Sequence, residues 1–539
     1  MHNFSFNFND YFFNISEYKI AFRVFTMINT YTIDPSKAKV LAEDSKQVIE
    51  ASGFMWAGGQ KKKKGLFKAV STIEEKCVKI SVEAEIDEPI KSIGLLLKDI
   101  DYGKVLDSNW DFIDIEVGEK RIYSCPLGWM DFTRRLPTPL YLIKHGENNY
   151  TFAVSTDTQV RPKRFYVDRV SEDKLHLELV FEEDARRFGK RITVPEWVIG
   201  RCSDPRKVVE FRMKLMEEAW GLKSWEERPD VPEWAKKIAL VVNMHGKHWT
   251  GYVFNTYKRQ LEILEWIADR IDGSLVLVFL PGWDGRYYYD YPRYEPDPDL
   301  GGPEGFRELI EGAHELGMHV LPMYSAVAVS VQFIDKLGLR EALIRDKYGN
   351  TLMSNWVDWD NDRNRDNIWY PVNLGHPKWR EYLFNRVCYI TDTYGVDGAF
   401  FDIAHFYEND PNYSFYEGLK ELVTRLQKKY RDFLVMGEAW YDALLAFIPL
   451  YHVHMWIPKN WPEFFLKYAR TAYHLSWPAP GKGSSGVHEM GFSKFRVPDP
   501  KYEVIPTLSV VDDTIPDHAE EAEKVIEAAL KYAKRKNII

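Results

Sequence analysis

The sequence predicts a multidomain β plus α/β protein: an antiparallel β-sandwich over residues 1–200, a helical link over 201–235 and a (β/α)₈ barrel over 236–539. Three observations carry that reading. At 539 residues the chain exceeds what one ordinary core accommodates. Up to about residue 200, apolar and polar residues alternate over strand-like lengths. Beyond residue 236 the alternation gives way to short, fully apolar runs separated by amphipathic stretches, the pattern of buried parallel strands with crossover helices.

In the first part, "KCVKISVEAEI", "DFIDIEVG", "YTFAVSTD" and "KLHLELVFEE" read as strands divided by short Gly, Asp, Asn or Pro turns. Helical periodicity is almost absent there, so a sandwich is expected. The run "KKKK" at Lys61–Lys64 reads as an exposed loop. "PRKVVEFRMKLMEEAWGLKSWEERPDVPEWAKK" supplies a helix and a proline-rich link. In the second part, "KIALVVNMH", "SLVLVFLPGW", "MHVLPMYS", "VDGAFFDIAH", "DFLVMGEAW" and "YHVHMWIP" are successive strands, and "VIPTLSVVDD" is a late one before the closing helix "HAEEAEKVIEAALKYAKR". Eight strands require one more, expected between residues 477 and 504. An open doubly wound sheet is the alternative, but no glycine-rich phosphate loop follows the first strand.

Composition narrows the function classes. Apolar residues make up 45% and charged residues 28%, as in a soluble globular protein. A net charge of -9 argues against nucleic acid or an anionic membrane as partner. No uncharged apolar window approaches the roughly 18 residues of a membrane span, and the N-terminus does not read as a signal peptide. Cys77, Cys125, Cys202 and Cys388 form no CxxC pair, which fits free thiols in the cytoplasm. Richness in Lys, Ile and Tyr leans towards a thermophile. The 15% aromatic content, 18 tryptophans included, suits both large cores and stacking on sugar rings.

Barrel active sites lie where strands end and βα loops begin. In "YGVDGAFFDIAH" the fourth strand ends in Asp402, and in "FLVMGEAW" the fifth ends in Glu438. Neighbouring strands are about 4.8 Å apart, so the carboxyl groups fit the roughly 5 to 5.5 Å separation that retaining glycoside hydrolysis needs. One ionised carboxylate attacks the anomeric carbon, and the other donates a proton to the leaving oxygen.

"YGVDGAFFDIAH" resembles the fourth-strand motif of the α-amylase superfamily, and "MGEAW" is similar to its fifth-strand motif. The stretch "YPVNLGHPKWREYLFNRVCYITDTYGVDG" resembles the helix leading into that fourth strand, including an Asn–X–X–X–Pro phrase at Asn373 and Pro377. The resemblance covers about residues 365–445. It implies Asp402 as nucleophile and Glu438 as acid/base of a glycosidase acting on α-linked sugars. A β domain ahead of the barrel resembles endo-α-N-acetylgalactosaminidase-like and other amylase-related hydrolases. Three departures mark a distinct family. Phe400 stands where the superfamily keeps an arginine, Tyr324 occupies the comparable end of the third strand, and the seventh-strand His-Asp pair has only Asp512, Asp513 or His488–Glu489 as candidates.

The substrate-binding candidates are His405, Trp440, Trp283, Asp284, His245, Tyr324, His454 and Asp512. Trp283 and Asp284 open a loop with five tyrosines, which suits sugar stacking. His245 and His248 in "HGKH" lack a carboxylate cluster, so hydroxyl binding is expected rather than a metal. "WVDWDNDRNRDN" lacks the spacing of a calcium loop and reads as a polar loop. No cofactor is implied, and the expected partner is a carbohydrate. The alternatives are a non-catalytic carbohydrate-binding barrel, a transglycosylase using the same carboxylates and a metal-dependent hydrolase.

Overall fold

The computed structural model describes residues 8, 10–56, 58–128, 134–249, 251–353, 362–364, 366–453, 463–473, 503–512, 514–515 and 517–539, the side chains of Val453 and Glu463 excepted. His454, Asp513, His488 and Glu489, and most of the "WVDWDNDRNRDN" stretch, lie outside those residues.

The expected sandwich corresponds to one continuous 16-stranded sheet. Its spine is the 25-residue strand Cys77–Asp101, in which Val78, Ile80, Val82, Ala84 and Ile86 alternate inward between exposed or half-exposed neighbours. The first half of this strand pairs with Lys62–Ile73 and Gly189–Cys202, the second half with Tyr18–Thr26 and Lys174–Glu182. One strand long enough to serve both regions joins what the sequence presents as separate layers. The lysine run is no loop. Lys62–Lys64 open a strand, Lys62 pairs with Asp34 at 2.8 Å, and Lys63 turns in to Glu88.

After the helix Arg206–Trp220 the barrel begins. Its eight parallel strands are β1 (Leu240–Met244), β2 (Val276–Leu280), β3 (His319–Ser325), β4 (Gly398–Asp402), β5 (Leu434–Glu438), β6 (Leu450–Val453), β7 (Arg470–Tyr473) and β8 (Thr507–Val510). They follow one another in chain order around the sheet, with β8 returning to β1. The strand expected between 477 and 504 is in fact β7, earlier in the chain. Ile505 donates its N–H to Thr471 O at 2.8 Å and bridges to Ala472, which brings β7 against the chain entering β8.

Each βα unit follows from local chemistry. Thr256 caps the helix Tyr257–Ala268 by accepting from Arg259 N–H, and Ile263, Leu264 and Ile267 form its buried stripe. Pro377 opens the helix Pro377–Tyr394, and Gly395 closes it in the left-handed region. Asn373, of the Asn–X–X–X–Pro phrase, donates Nδ2 to Asp410 and to Tyr413 O, fastening that helix start to the loop after β4. Gly398 begins β4 because a Cβ there would lie 2.0 Å from Leu434 O on β5. This close approach sets Asp402 beside Glu438.

Candidate active site

The β4–β5 register pairs Phe401 with Gly437, so Asp402 and Glu438 end their strands side by side, and both are buried. The backbone kinks immediately after each of them. Ile403 and Ala439 sit at φ +56° and +51°, which non-glycine residues seldom adopt and a β-branched one still less. The first kink aims Ile403 N–H at Glu438 Oε2, 2.8 Å away. The second aims Ala439 N–H at His452 O, at 2.7 Å. His405 Nδ1 lies 3.0 Å from Glu438 O, and because a carbonyl only accepts, that nitrogen carries the proton.

Burial and the neighbouring Glu438 push Asp402 well above the usual carboxylate range, and only the Ile403 N–H pulls the other way. Each charge disfavours the other, as in close buried carboxyls.

A third carboxylate stands near. Asp284 follows β2 and is buried, and burial raises it far above its ordinary value, with Asp290 and Asp297 adding to the rise. Tyr291 and Tyr294 feel both Asp284 and Asp402, which places the two acids around one group of phenols. Among the described residues, Asp284 Oδ2, Tyr291 Oη, Tyr324 Oη and Asp402 Oδ2 are buried polar atoms without a hydrogen-bond partner. Such atoms are costly in a folded protein and mark where a polar ligand fits.

The other candidates divide. His405 touches Glu438, and Trp440 lies two residues beyond it with its ring 3.7 Å from that of Phe465. Trp283 is wholly enclosed, donating Nε1 to Met323 O at 2.9 Å and stacking on Phe306, so in this structure it is packing and not an open sugar platform. Four of the five tyrosines in its loop, Tyr287, Tyr288, Tyr291 and Tyr294, are likewise buried. Tyr324 is buried against Trp283 and Tyr294. His245 and Asp512 follow β1 and β8, on the side of the ring opposite β4 and β5. His245 is buried with its N–H on Val510 O, and Asp512 accepts from Tyr252 Oη at 2.6 Å.

Sequence reasoning missed His452. It pairs in register with Glu438, and its buried ring stands between Phe279 and Phe400 at 4.8 and 4.9 Å. The sequence reading named His454 for the rim in "YHVHMW" and passed over His452, two residues earlier in the same stretch. Phe400, at the position where the amylases keep an arginine, fills the barrel interior with its ring 4.3 Å from Phe279.

A (β/α)₈ barrel with neighbouring carboxylates on the C-terminal strand ends is the architecture of a glycoside hydrolase. The relatives agree on that class. No family model matches the chain. It is 25% identical over 262 residues to the intracellular maltogenic amylase of Bacillus subtilis (strain 168), a match covering 46% of this chain and 39% of that protein. It is 24% identical over 200 residues to a cyclomaltodextrinase of Geobacillus thermopakistaniensis (strain MAS1), covering 34% and 32%. The match thus spans well under half the length of these relatives. Among solved structures, the α-N-acetylgalactosaminidase NagBb from Bifidobacterium bifidum in complex with GalNAc superposes with TM-score 0.66 at 13% identity, over 98% of this chain and 92% of that one. The GH36 α-galactosidase AgaA from Geobacillus stearothermophilus gives 0.51 at 12% identity, over 97% and 76%. The chain is similar in part of its sequence to amylase-type glycoside hydrolases, and it shares the fold of the α-N-acetylgalactosaminidase and α-galactosidase structures along almost its whole length.

Proposed function

We propose that the protein is a retaining glycoside hydrolase acting on an α-linked sugar, with Asp402 as nucleophile and Glu438 as acid/base. The observation that carries this is the pair itself: two buried carboxyls on adjacent strand ends, close enough to act on each other's proton. Inverting enzymes hold their carboxyls about 6.5–9.5 Å apart to admit a water, so such closeness favours retention. Asp402 attacks the anomeric carbon as the glycosidic bond breaks, and the leaving oxygen takes the proton from Glu438. Glu438 then deprotonates a water that attacks the same carbon and releases Asp402, giving net retention. Positive charge developing at the sugar stabilises the anion on Asp402 and leaves the proton on Glu438. Asp284, with Tyr291 and Tyr324 beside it, orients the sugar hydroxyls through its partnerless oxygen.

The α linkage rests on the named activities of the similar proteins, an argument by likeness of fold and partial sequence. Division into a β domain at 1–200, a link at 201–235 and a barrel at 236–539 belongs to the same reading. So does a cytoplasmic location, which fits four free thiols. No helix among the described residues is long and apolar enough to cross a membrane.

The test is product release from a panel of α- and β-linked oligosaccharides and aryl glycosides, with proton NMR following the first-formed anomer. Turnover with retained configuration, abolished in both Asp402→Asn and Glu438→Gln, is expected. Turnover surviving both replacements sinks the assignment.

A further inference from the structure

We propose that Arg135, carried by the N-terminal domain, is a substrate-binding residue of the barrel site. Its guanidinium takes two adjacent oxygens, a hydroxyl pair or a carboxylate, of the sugar on the leaving-group side of Glu438. The proposal rests on the glycosidase reading for its substrate and on the domain seam for its geometry.

The seam brings this residue to the acid/base. Pro137 O accepts from Asp442 N–H at 2.8 Å, and Thr138 Oγ1 donates to Asp442 Oδ2 at 2.9 Å. Asp442 stands four residues past Glu438 on the loop leaving β5, so the segment of Arg135 is pinned to the same loop as the catalytic glutamate. That segment is the short strand Arg134–Arg135, paired with Tyr123 and Ser124, and Leu136 N–H continues onto Ser124 O at 2.8 Å. Alternation sends the two arginines to opposite faces. Arg134 is half exposed and pairs with Asp107 at 3.4 Å. Arg135 faces the other way, partly buried, and among the described residues its guanidinium makes no hydrogen bond or ion pair. Burial lowers its pKa, and Glu438 is the carboxylate whose charge resists that.

A half-buried arginine that spends none of its donors on the described residues has them available for a ligand's acceptors. The planar fork matches two oxygens held side by side, which every pyranose ring presents and a uronic acid presents more strongly. Its place on the segment fastened to the loop that leaves Glu438 assigns it to the sugar that receives the proton.

The experiment compares wild type with Arg135→Ala, Arg135→Gln and Arg135→Lys on an oligosaccharide, on its uronate-bearing counterpart and on a dinitrophenyl glycoside, whose leaving group needs neither a sugar contact nor a proton. Loss of a charge-assisted contact predicts a fall in oligosaccharide kcat/KM of about 10- to 100-fold. The aryl substrate stays within about 2-fold of wild type, and Tm is unchanged or raised because an unpaired cation has been removed. A larger fall on the uronate than on the neutral substrate assigns the contact to a carboxylate, and an equal fall assigns it to hydroxyls. Unchanged oligosaccharide turnover overturns the proposal. Equal losses on all substrates with a displaced pH profile also overturn it, since the arginine then acts only by tuning Glu438. A lowered Tm in all three variants marks a structural arginine and overturns it as well. If wild type turns over nothing, the glycosidase reading fails separately, and titration of the same oligosaccharides into wild type and Arg135→Ala decides. Affinity lost with the arginine supports the proposal, and affinity kept or absent in both rejects it.

Discussion

Replacing Arg212, on the helix between the β sheet and the barrel, tests whether contacts across that seam hold the loop after Glu438 in place. Arg212 and Asp442 are both buried, and the guanidinium gives Nη2 and Nε to Asp442 Oδ2 at 3.0 and 3.3 Å. Its Nη1 serves Ser155 O at 3.0 Å and Asp157 O at 2.7 Å. Arg212→Ala therefore strands a buried carboxylate with Thr138 as its remaining named side-chain donor, together with two carbonyls. Breaking a buried pair from one side costs about 3–5 kcal/mol. Unfolding entropy near 2.1 cal/mol/K per residue gives about 1.1 kcal/mol/K for a chain this long, so a single cooperative transition drops by roughly 3–4 °C. If the barrel melts on its own, the same cost spread over about 300 residues lowers its transition by roughly 5–8 °C. Calorimetry on wild type, Arg212→Ala and Arg212→Ala/Asp442→Leu measures this directly. The double variant recovers most of the loss because no charge is left without a partner. An Arg212→Ala transition within about 1 °C of wild type, or a double variant worse than the single, refutes the reasoning. Turnover measured well below the transition also falls in Arg212→Ala, since Asp442 lies on the loop that carries Glu438.

Three further outcomes follow from other parts of the molecule. Burial alone raises Glu182, but Arg164 at 2.8 Å and Lys347 at 2.7 Å overrule it and bring it down to about 2. A lowered folded pKa means that the stabilisation, about 3 kcal/mol, is complete above the ordinary value near 4.5 and disappears as pH falls towards 2. The gap in urea midpoint between wild type and Glu182→Gln should close over that interval, and a gap independent of pH contradicts the pairing. Ala439→Gly relaxes the left-handed kink after Glu438 and gains up to about 1 kcal/mol in chemical denaturation, while kcat falls as the glutamate loosens; a destabilised variant contradicts the strain argument. Gly398→Ala forces a Cβ onto Leu434 O and should leave little soluble folded protein, so a wild-type Tm for this variant removes glycine from the account of β4–β5 pairing.

What was legible in the chain is what has a local signature. An apolar run that ends in a bare carboxylate, as at Asp402 and again at Glu438, is visible because burying such a run leaves its last polar residue at the strand mouth. β7 was not, since "RTAY" has no apolar run, and the need for an eighth strand announces a gap without locating it. The one-sheet form of the β domain depends on Cys77–Asp101 remaining a single strand through Asp87 and Glu88, where composition alone invites a turn. Trp283 read as a sugar-stacking candidate because it opens an aromatic loop after β2, and its indole N–H on Met323 O of β3 and its stacking on Phe306 of the following helix place it in the packing instead. Arg135 was invisible for a different reason. Nothing within "FTRRL" distinguishes a solvated arginine from one delivered across a domain seam, because its significance comes from Asp442, some three hundred residues later.

The two carboxylates differ in their tethers, and on the proposed reading that difference divides their labour. Glu438 Oε2 is held by Ile403 N–H, so when Glu438 carries the proton it sits on the other oxygen, free of that donor. The N–H comes from the residue directly after Asp402, so the kink that exposes the shorter acid also orients the longer one. Asp402, one methylene shorter and with Oδ2 lacking a partner among the described residues, has an oxygen available for bonding to carbon. Exchanging the pair, with glutamate at 402 and aspartate at 438, would carry the nucleophile past the Ile403 donor and draw the acid back from it. The swapped enzyme should therefore fold and be nearly inactive, although both charges are present. Activity within about 10-fold of wild type would mean that charge alone, and not this tether, determines which acid attacks.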